Sequence, residues 1–334
     1  MGVSIKTHKM LWGRSGNRCA FPDCKVGELV MDVSETDDAS VVGEEAHIVA
    51  REIGGPRGTD PMPADQRDKY KNLILMCSLH HKLIDDHPGV YTIEILHEYK
   101  KNHEQWVKAN LSVDKIKQQE DEAYASYVDE FLKLANIDNY TAWTSSLIAG
   151  DLPRMLKDTY ESLRQLVTYI VSRIWHKRYP ELEDAMINFK NVLNDLLNVF
   201  DEHSSKHGED GLITRKFYHI QEWNPELYNS LHKRYMYHVH LITDLTLELT
   251  RAGNYLLDTV REFLIPGFRL HKGVLLVEIG PFMDLSWKTY RPEYRGEERT
   301  SRPYPGLRKF MEIRVERDFH WSEGVSEDYF LPEL

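Results

Sequence analysis

The sequence predicts an α+β chain in two parts. A small mixed domain of short strands and a helix comes first, and a mainly α-helical bundle with a short β/loop C-terminal part comes second. Three observations predict this. The apolar run Leu73-Ile74-Leu75-Met76 leads into Cys77-Ser78-Leu79-His80-His81 and then Asp85, so a strand runs directly into a group of metal-type ligands. From about residue 123 apolar residues recur at spacings of three and four, the period of amphipathic helices. Residues 273–279 return to a strand pattern. A length of 334 residues suits two cores better than one.

The first part is organised around soft ligands. Cys19 and Cys24 lie close enough in sequence for a tight metal knuckle, and Cys77 with His80 forms a second pair at a common zinc spacing. Together they make a Cys3His set, which suits tetrahedral structural Zn2+. Only three cysteines occur in the chain, and all three fall into these pairs. A disulfide between Cys19 and Cys24 fits less well, because cysteine is sparse and residues 1–10 carry no apolar signal core. A reducing cytoplasm is the expected compartment.

A reactive group stands between the two pairs. Glu44-Glu45-Ala46-His47 comes after the strand-like stretch Ala39-Ser40-Val41-Val42-Gly43, which places His47 at a strand end. A loop with three prolines and three glycines covers residues 51–69. Knuckle cysteines, a strand ending in Ala46-His47-Ile48 and the run Asn72-Leu73-Ile74-Leu75-Met76-Cys77 before His80-His81 resemble an HNH endonuclease of the ββα-metal class. The resemblance covers about residues 10–110 and includes the closing segment Tyr91 to Trp106. It implies metal-dependent hydrolysis of DNA phosphodiester bonds. His47 would be the general base, Asn72 would hold the loop and orient His47, and His81 would be the last histidine of the motif. Catalytic Mg2+ or Mn2+ would stabilise charge on the phosphate.

One position departs from the family pattern. Many members carry Asp or His just before the base, where this chain has Ala46. Asp85 lies four residues after His81, so on a helix the two share one face. His81 and Asp85 are therefore the expected catalytic metal ligands, with Glu45 or Glu44 as the fallback. The family pattern gives His80 to zinc and His81 to the catalytic ion, and spacing alone allows the reverse. His87, His97 and His103 are expected on solvated faces; residues 96–111 are expected as a helix packed back on the site, with Trp106 in the core.

The formal net charge is −11, and residues 1–111 hold 14 Lys and Arg against 17 Asp and Glu. The basic footprint usual for nucleic-acid binding is missing. Local cations remain: Arg51 and Arg57 on the loop, Lys69 and Lys71 beside Asn72, and Lys82 after the histidines. Arg51, Arg57, Lys71 and Lys82 are the candidates to meet phosphate. Weak intrinsic DNA affinity implies that activity depends on assembly or activation.

The expected domains are residues 1–111, a polar linker over 112–122, and a helical regulatory or oligomerisation domain over 123–334. Within the last, residues 204–211 are expected as a loop, and Met311-Glu312-Ile313-Arg314-Val315 as a second strand. His232, His238 and His240 stand among tyrosines, either as a metal site or as ordinary helix-face residues. Arginines and aromatics alternate from Trp287 to Lys309. They either bind a nucleotide signal or nucleic acid, or pack over the bundle and pair with its acids. No apolar run approaches the roughly 18 residues of a membrane span. The favoured reading is a DNA endonuclease controlled by its C-terminal half, working as a homo-oligomer or with a partner protein, and by analogy suited to anti-phage defence. The alternative is a degenerate, zinc-stabilised module that binds nucleic acid or protein.

Overall fold

In the computed structural model, which describes residues 2–31, 40–111, 115–282 and 284–316, the chain forms two units, Met1–Asp129 and Glu130–Leu334. The first opens with a helix absent from the sequence expectation, α1 (Ile5–Ser15). Ser4 accepts from Thr7 N, and the Asp129 carboxylate accepts from Ile5 N and Lys6 N. These contacts satisfy first-turn donors that a helix leaves unpaired. Gly16 ends the helix at φ 59°, a left-handed conformation that carries no Cβ penalty in glycine.

Strands β1 (Val30–Met31) and β2 (Ser40–Val41) pair antiparallel. Residues 32–39 between them lie outside the described residues. The centre of the unit is the antiparallel pair β3 (Gly43–His47) and β4 (Leu73–Cys77), with Gly43 opposite Cys77 and His47 opposite Leu73. Every residue of β4 is buried, which explains its unbroken apolar sequence. The connection contains a single helical turn, α2 (Ala64–Arg67), and a 3-10 turn, Tyr70–Asn72. β4 then runs directly into α3 (Ser78–Asp86), and α4 (Ile93–Asn110), capped by Thr92, comes next.

α1, α3 and α4 all pack on β4, around Leu11, Leu29, Ile74, Leu75, Ile84 and Leu96. Trp106, expected in this core, is instead 46% exposed. The buried stripe of α4 runs through Leu96, Lys100 and Val107, and Trp106 sits one residue off it. Lys100 enters the stripe because its ammonium lies 3.8 Å from the Tyr70 ring centroid and 2.9 Å from Glu104.

The polar stretch expected as a linker is helical over residues 115–122, at the start of α5 (Lys115–Leu134); residues 112–114 lie outside the described residues. The helical unit then has α6 (Tyr140–Ile148), β5 (Arg154–Leu156), α7 (Lys157–Val171), α8 (Pro180–Glu202), β6 (Ser204–His207), β7 (Gly211–Thr214) and α9 (Pro225–Thr259). Pro180, which interrupts the apolar pattern, is the first residue of α8, where its missing N–H has no partner to lose. α7 and α9 both pack on α8. Residues 204–211, expected as a loop, instead contain β6 and the tight turn to β7, in a three-stranded sheet of order β5-β7-β6. Ser204, Ser205, Lys206 and His207 have no apolar alternation that would mark an edge strand.

Strands β8 (Val277–Ile279) and β9 (Lys288–Tyr290) pair antiparallel. The strand expected from Met311 to Val315 is overturned, because the chain forms α10 (Leu307–Ile313) there. Phe310, Met311 and Arg314 are buried, a spacing of one and three that fits a helix and not a strand. The basic aromatic loop pairs with acids of the bundle, the second of its two sequence readings. Arg299 meets Asp258 at 2.5 Å, Arg302 meets Asp184 at 2.6 Å, and the Tyr304 hydroxyl donates to Asp195 at 2.8 Å. Among the described residues no helix is long and apolar enough to cross a membrane.

Gly43 is a point of close approach in the N-terminal unit. A Cβ there would lie 2.6 Å from the Trp12 ring and 3.0 Å from Leu29 Cβ. Gly43→Ala is therefore expected to destabilise that unit by about 1–3 kcal/mol through overpacking, read as a lower urea midpoint for the full chain. An unchanged midpoint would show that the α1–β3 contact is loose.

Candidate metal centre and active site

Cys77 is both the last residue of β4 and the N-cap of α3. His80 therefore returns over it within the first helical turn. Cys19 comes after α1 in a loop tied to β4 by Ala20 N donating to Leu75 O at 2.9 Å. His80 Nδ1 lies 3.2 Å from Cys77 Sγ and 3.5 Å from Cys19 Sγ. The ligand atoms of Cys19, Cys24, Cys77 and His80 all lie within 4.8 Å of one another. Phe21 stacks flat on His80, with centroids 4.0 Å apart and planes at 4°, which fixes the ring. The geometry thus places His80, not His81, with the cysteines.

All three cysteines are free thiols. Burial pushes the Cys19 thiol up to about 12 and raises Cys24 as well. Three sulfurs and one imidazole converging in a largely buried pocket are the donor set and number of a closed structural zinc site. The cluster could hold a structural metal.

His47 ends β3 as expected. Its Nε2 lies 3.0 Å from Asp68 Oδ1, and both side chains are partly exposed. Asp68 is not among the sequence candidates. It stands directly after α2, in a charged stretch where nothing in the residue pattern separates it from its neighbours. Asn72, 1% exposed, accepts from Val49 N at 2.9 Å and donates to Val49 O and Arg67 O. These bonds join the Val49 and Arg67 backbones across the loop, and the His47 ring contacts Asp68. Arg67, also missed, is buried and donates to the carbonyls of Ala50, Gly58, Asp60 and Met62.

His81 and Asp85 do converge across one helical turn, with Nε2 3.3 Å from Oδ2. Glu44 contacts the other nitrogen of His81. Asp85 and Glu44 hold the His81 imidazolium above its ordinary range against the effect of burial. Burial alone would raise Asp85, but hydrogen bonds from His81 and Arg57 hold it below the usual carboxylate range. Of the two fallback carboxylates, Glu45 points elsewhere. It accepts from Trp12 Nε1 at 3.0 Å and pairs with His8 of α1. Adjacent strand residues face opposite ways, so Glu44 takes the side that carries His81.

The phosphate candidates separate in the same way. Arg57 is turned inward with its side chain 4% exposed. It donates to Ile48 O and Ile84 O and meets Asp85 at 2.8 Å, and Nη2 also reaches His47 O at 3.4 Å. This saturation removes Arg57 as a phosphate ligand and makes it the link between the His47 backbone and Asp85. Arg51 is half exposed, 3.5 Å from Asp68. Lys82 is exposed and paired with Asp86. Lys71 is exposed beside Asn72 and lines a cavity of about 1000 Å³ with Arg14, Tyr70, Lys101 and Lys108.

If His80 alone completes the cysteine cluster, His80→Ala is expected to release zinc to a chelator more than about tenfold faster, with loss of stability. His81→Ala is expected to keep its zinc. Equal retention in the two variants would reverse the assignment.

Residues 19–88 match a family model described as HNH endonuclease. No curated protein matches the chain. The matched stretch contains the Cys3His cluster, His47, Asp68, Asn72, His81 and Asp85, and ends before the helical unit begins. Hairpin, adjoining helix and metal cluster thus coincide with the part of the chain that matches the HNH endonuclease family, and this match suggests a nuclease or nucleic-acid-binding function.

Proposed function

We propose that the N-terminal unit is a divalent-metal-dependent endonuclease that hydrolyses DNA phosphodiester bonds. The observation that carries this reading is the His47–Asp68 pair, an imidazole held by a carboxylate at a strand end and open to solvent. Nε2–H donating to Asp68 leaves Nδ1 as the free base, because the hydrogen bond made by one ring nitrogen sets the tautomer. His47 Nδ1 would take the proton of a water whose oxygen attacks phosphorus. The bond from phosphorus to the 3′ oxygen breaks, and that oxygen leaves as the anion before it is protonated. Asp68 stabilises the imidazolium formed. Asn72 and Arg57 fix the backbone from His47 to Val49, on the C-terminal side of the base.

His81, Glu44 and the Asp85 oxygen that faces His81 are the residues that would hold Mg2+ or Mn2+. One imidazole with carboxylates is a donor set these ions accept. Bound there, the ion would neutralise charge on the phosphate and the leaving oxygen. Glu44 supports this set in place of the ligand that the family carries where this chain has Ala46, which is fully buried. That buried alanine is also the observation that favours the second reading, a degenerate zinc-stabilised binding module. The net charge of −11 supports placing the helical unit in control of the nuclease, since a weak intrinsic hold on DNA leaves room for activation.

Supercoiled plasmid incubated with the full chain tests the reading. Nicking or linearisation is expected with Mg2+ or Mn2+ and none with EDTA. His47→Ala is expected to lower the rate by about 10²–10⁴-fold. Asp68→Asn is expected to lower it by about 10–100-fold, without loss of zinc. Wild-type rates in His47→Ala would remove the base from the mechanism, and no cleavage under any condition, with DNA still bound, would favour the binding module.

A further inference from the structure

The helical unit contains a second group of metal-type ligands. Glu202 is the last residue of α8, His203 is its C-cap, and His238 lies in α9. One ligand atom from each lies within 4.8 Å of the other two. The two imidazoles meet edge to face, with centroids 4.7 Å apart and planes at 78°. The structure also sorts the histidines that stand together in the sequence. His232 packs against the rings of Tyr218 and Tyr228, whereas His238 turns to His203 at the end of the neighbouring helix.

We propose that Glu202, His203 and His238 bind a divalent transition-metal ion of the zinc class. Two imidazoles and one carboxylate are three protein ligands, the number that leaves a fourth tetrahedral position for water or another small ligand. Imidazole nitrogen also selects such ions over Mg2+ and Ca2+. Tetrahedral zinc, with bonds of about 2.0–2.1 Å, needs donor atoms roughly 3.3 Å apart, so small side-chain rotations close the set. Nδ1 of His203 and Nε2 of His238 are both buried atoms, while Glu202 is exposed. The site is therefore dry on the histidine side and open on the carboxylate side.

Two further features favour a cation at this place. It lies at the C-terminal end of α8, where the unpaired carbonyls carry partial negative charge. The last turn of α8 contains no basic residue but holds Asp201 and Glu202, and Asp201 is already engaged by Arg164 and Tyr160. A carboxylate at the negative end of a helix is unfavourable, and a metal ion reverses that sign. The ligands are also held in place. Arg215 N donates to His203 O at 2.7 Å, the Phe217 ring lies 4.3 Å from the His203 ring, and α8 packs along α9.

The test is a Co2+ titration of the metal-stripped full chain in a His81→Ala background, which removes the imidazole of the proposed catalytic site and serves as the wild type for Glu202, His203 and His238, with zinc counted by elemental analysis. The wild type is expected to take up two equivalents. One should show thiolate-to-metal charge transfer from the cysteine cluster, and the other should lack it. Glu202→Gln changes an exposed side chain and keeps its size. It and His203→Asn are expected to weaken only the second equivalent, by more than the roughly 100-fold upper range for outer-shell substitutions, and to lower the zinc count from two to one. A wild-type chain that binds one equivalent, or variants that bind the second as tightly as the wild type, would overturn the proposal. Loss of the charge-transfer phase alone, in Cys77→Ser, with the second equivalent retained would support it and show that the two sites are independent.

Discussion

Three sulfurs and one imidazole drawn from the two ends of the HNH stretch converge on one point, and the geometry of the candidate active site depends on that convergence. Cys19 and Cys24 stand after α1, and Cys77 and His80 stand at the junction of β4 and α3. A metal at this point closes a long loop of chain, which transfers binding free energy directly into folding. It also sets the rotation of α3. His80 and His81 are neighbours on a helix of 3.6 residues per turn, so directing His80 into the cluster directs His81 about 100° away, toward Glu44 and Asp85. The structural site thereby positions the proposed catalytic one.

A second set of constraints lies in the connection between β3 and β4. Its backbone carbonyls would be unsatisfied if the loop were merely folded over the core. Arg57, Arg67 and Asn72 supply the missing donors from buried positions. Gly58 is required for the same packing, since a Cβ there would lie 2.3 Å from Glu52 O and 2.7 Å from Ile53 O. The loop is therefore a rigid platform for Asp68, which meets the imidazole of His47.

Much of this arrangement is legible in the sequence because it comes from short-range rules. The unbroken apolar run of β4, the convergence of His81 and Asp85 across one helical turn, and the position of His47 at a strand end all depend on local periodicity. The residues that were missed depend on tertiary placement. Asp68 becomes a partner of His47 only because a two-residue step, Asp68 and Lys69, separates α2 from the 3-10 turn that ends at Asn72. Which of the two fallback carboxylates, Glu45 or Glu44, meets His81 is not legible, because strand alternation needs the side that α3 covers to be known. Trp106 leaves the core because the helix phase is set by Lys100, whose burial against Tyr70 no hydropathy pattern indicates. In the helical unit, the sequence groups His238 with His232 and His240, and its neighbours Glu202 and His203 come from the end of another helix.

Hydrogen exchange on the full chain, measured peptide by peptide in the zinc-loaded and the chelator-treated protein, tests the dependence of the candidate active site on the Cys3His cluster most directly. The account predicts that the amides of Leu73–Cys77 and those of Ile48 and Val49, which donate to Asn72, lose protection together. Unchanged protection in both segments after the metal has left would contradict it.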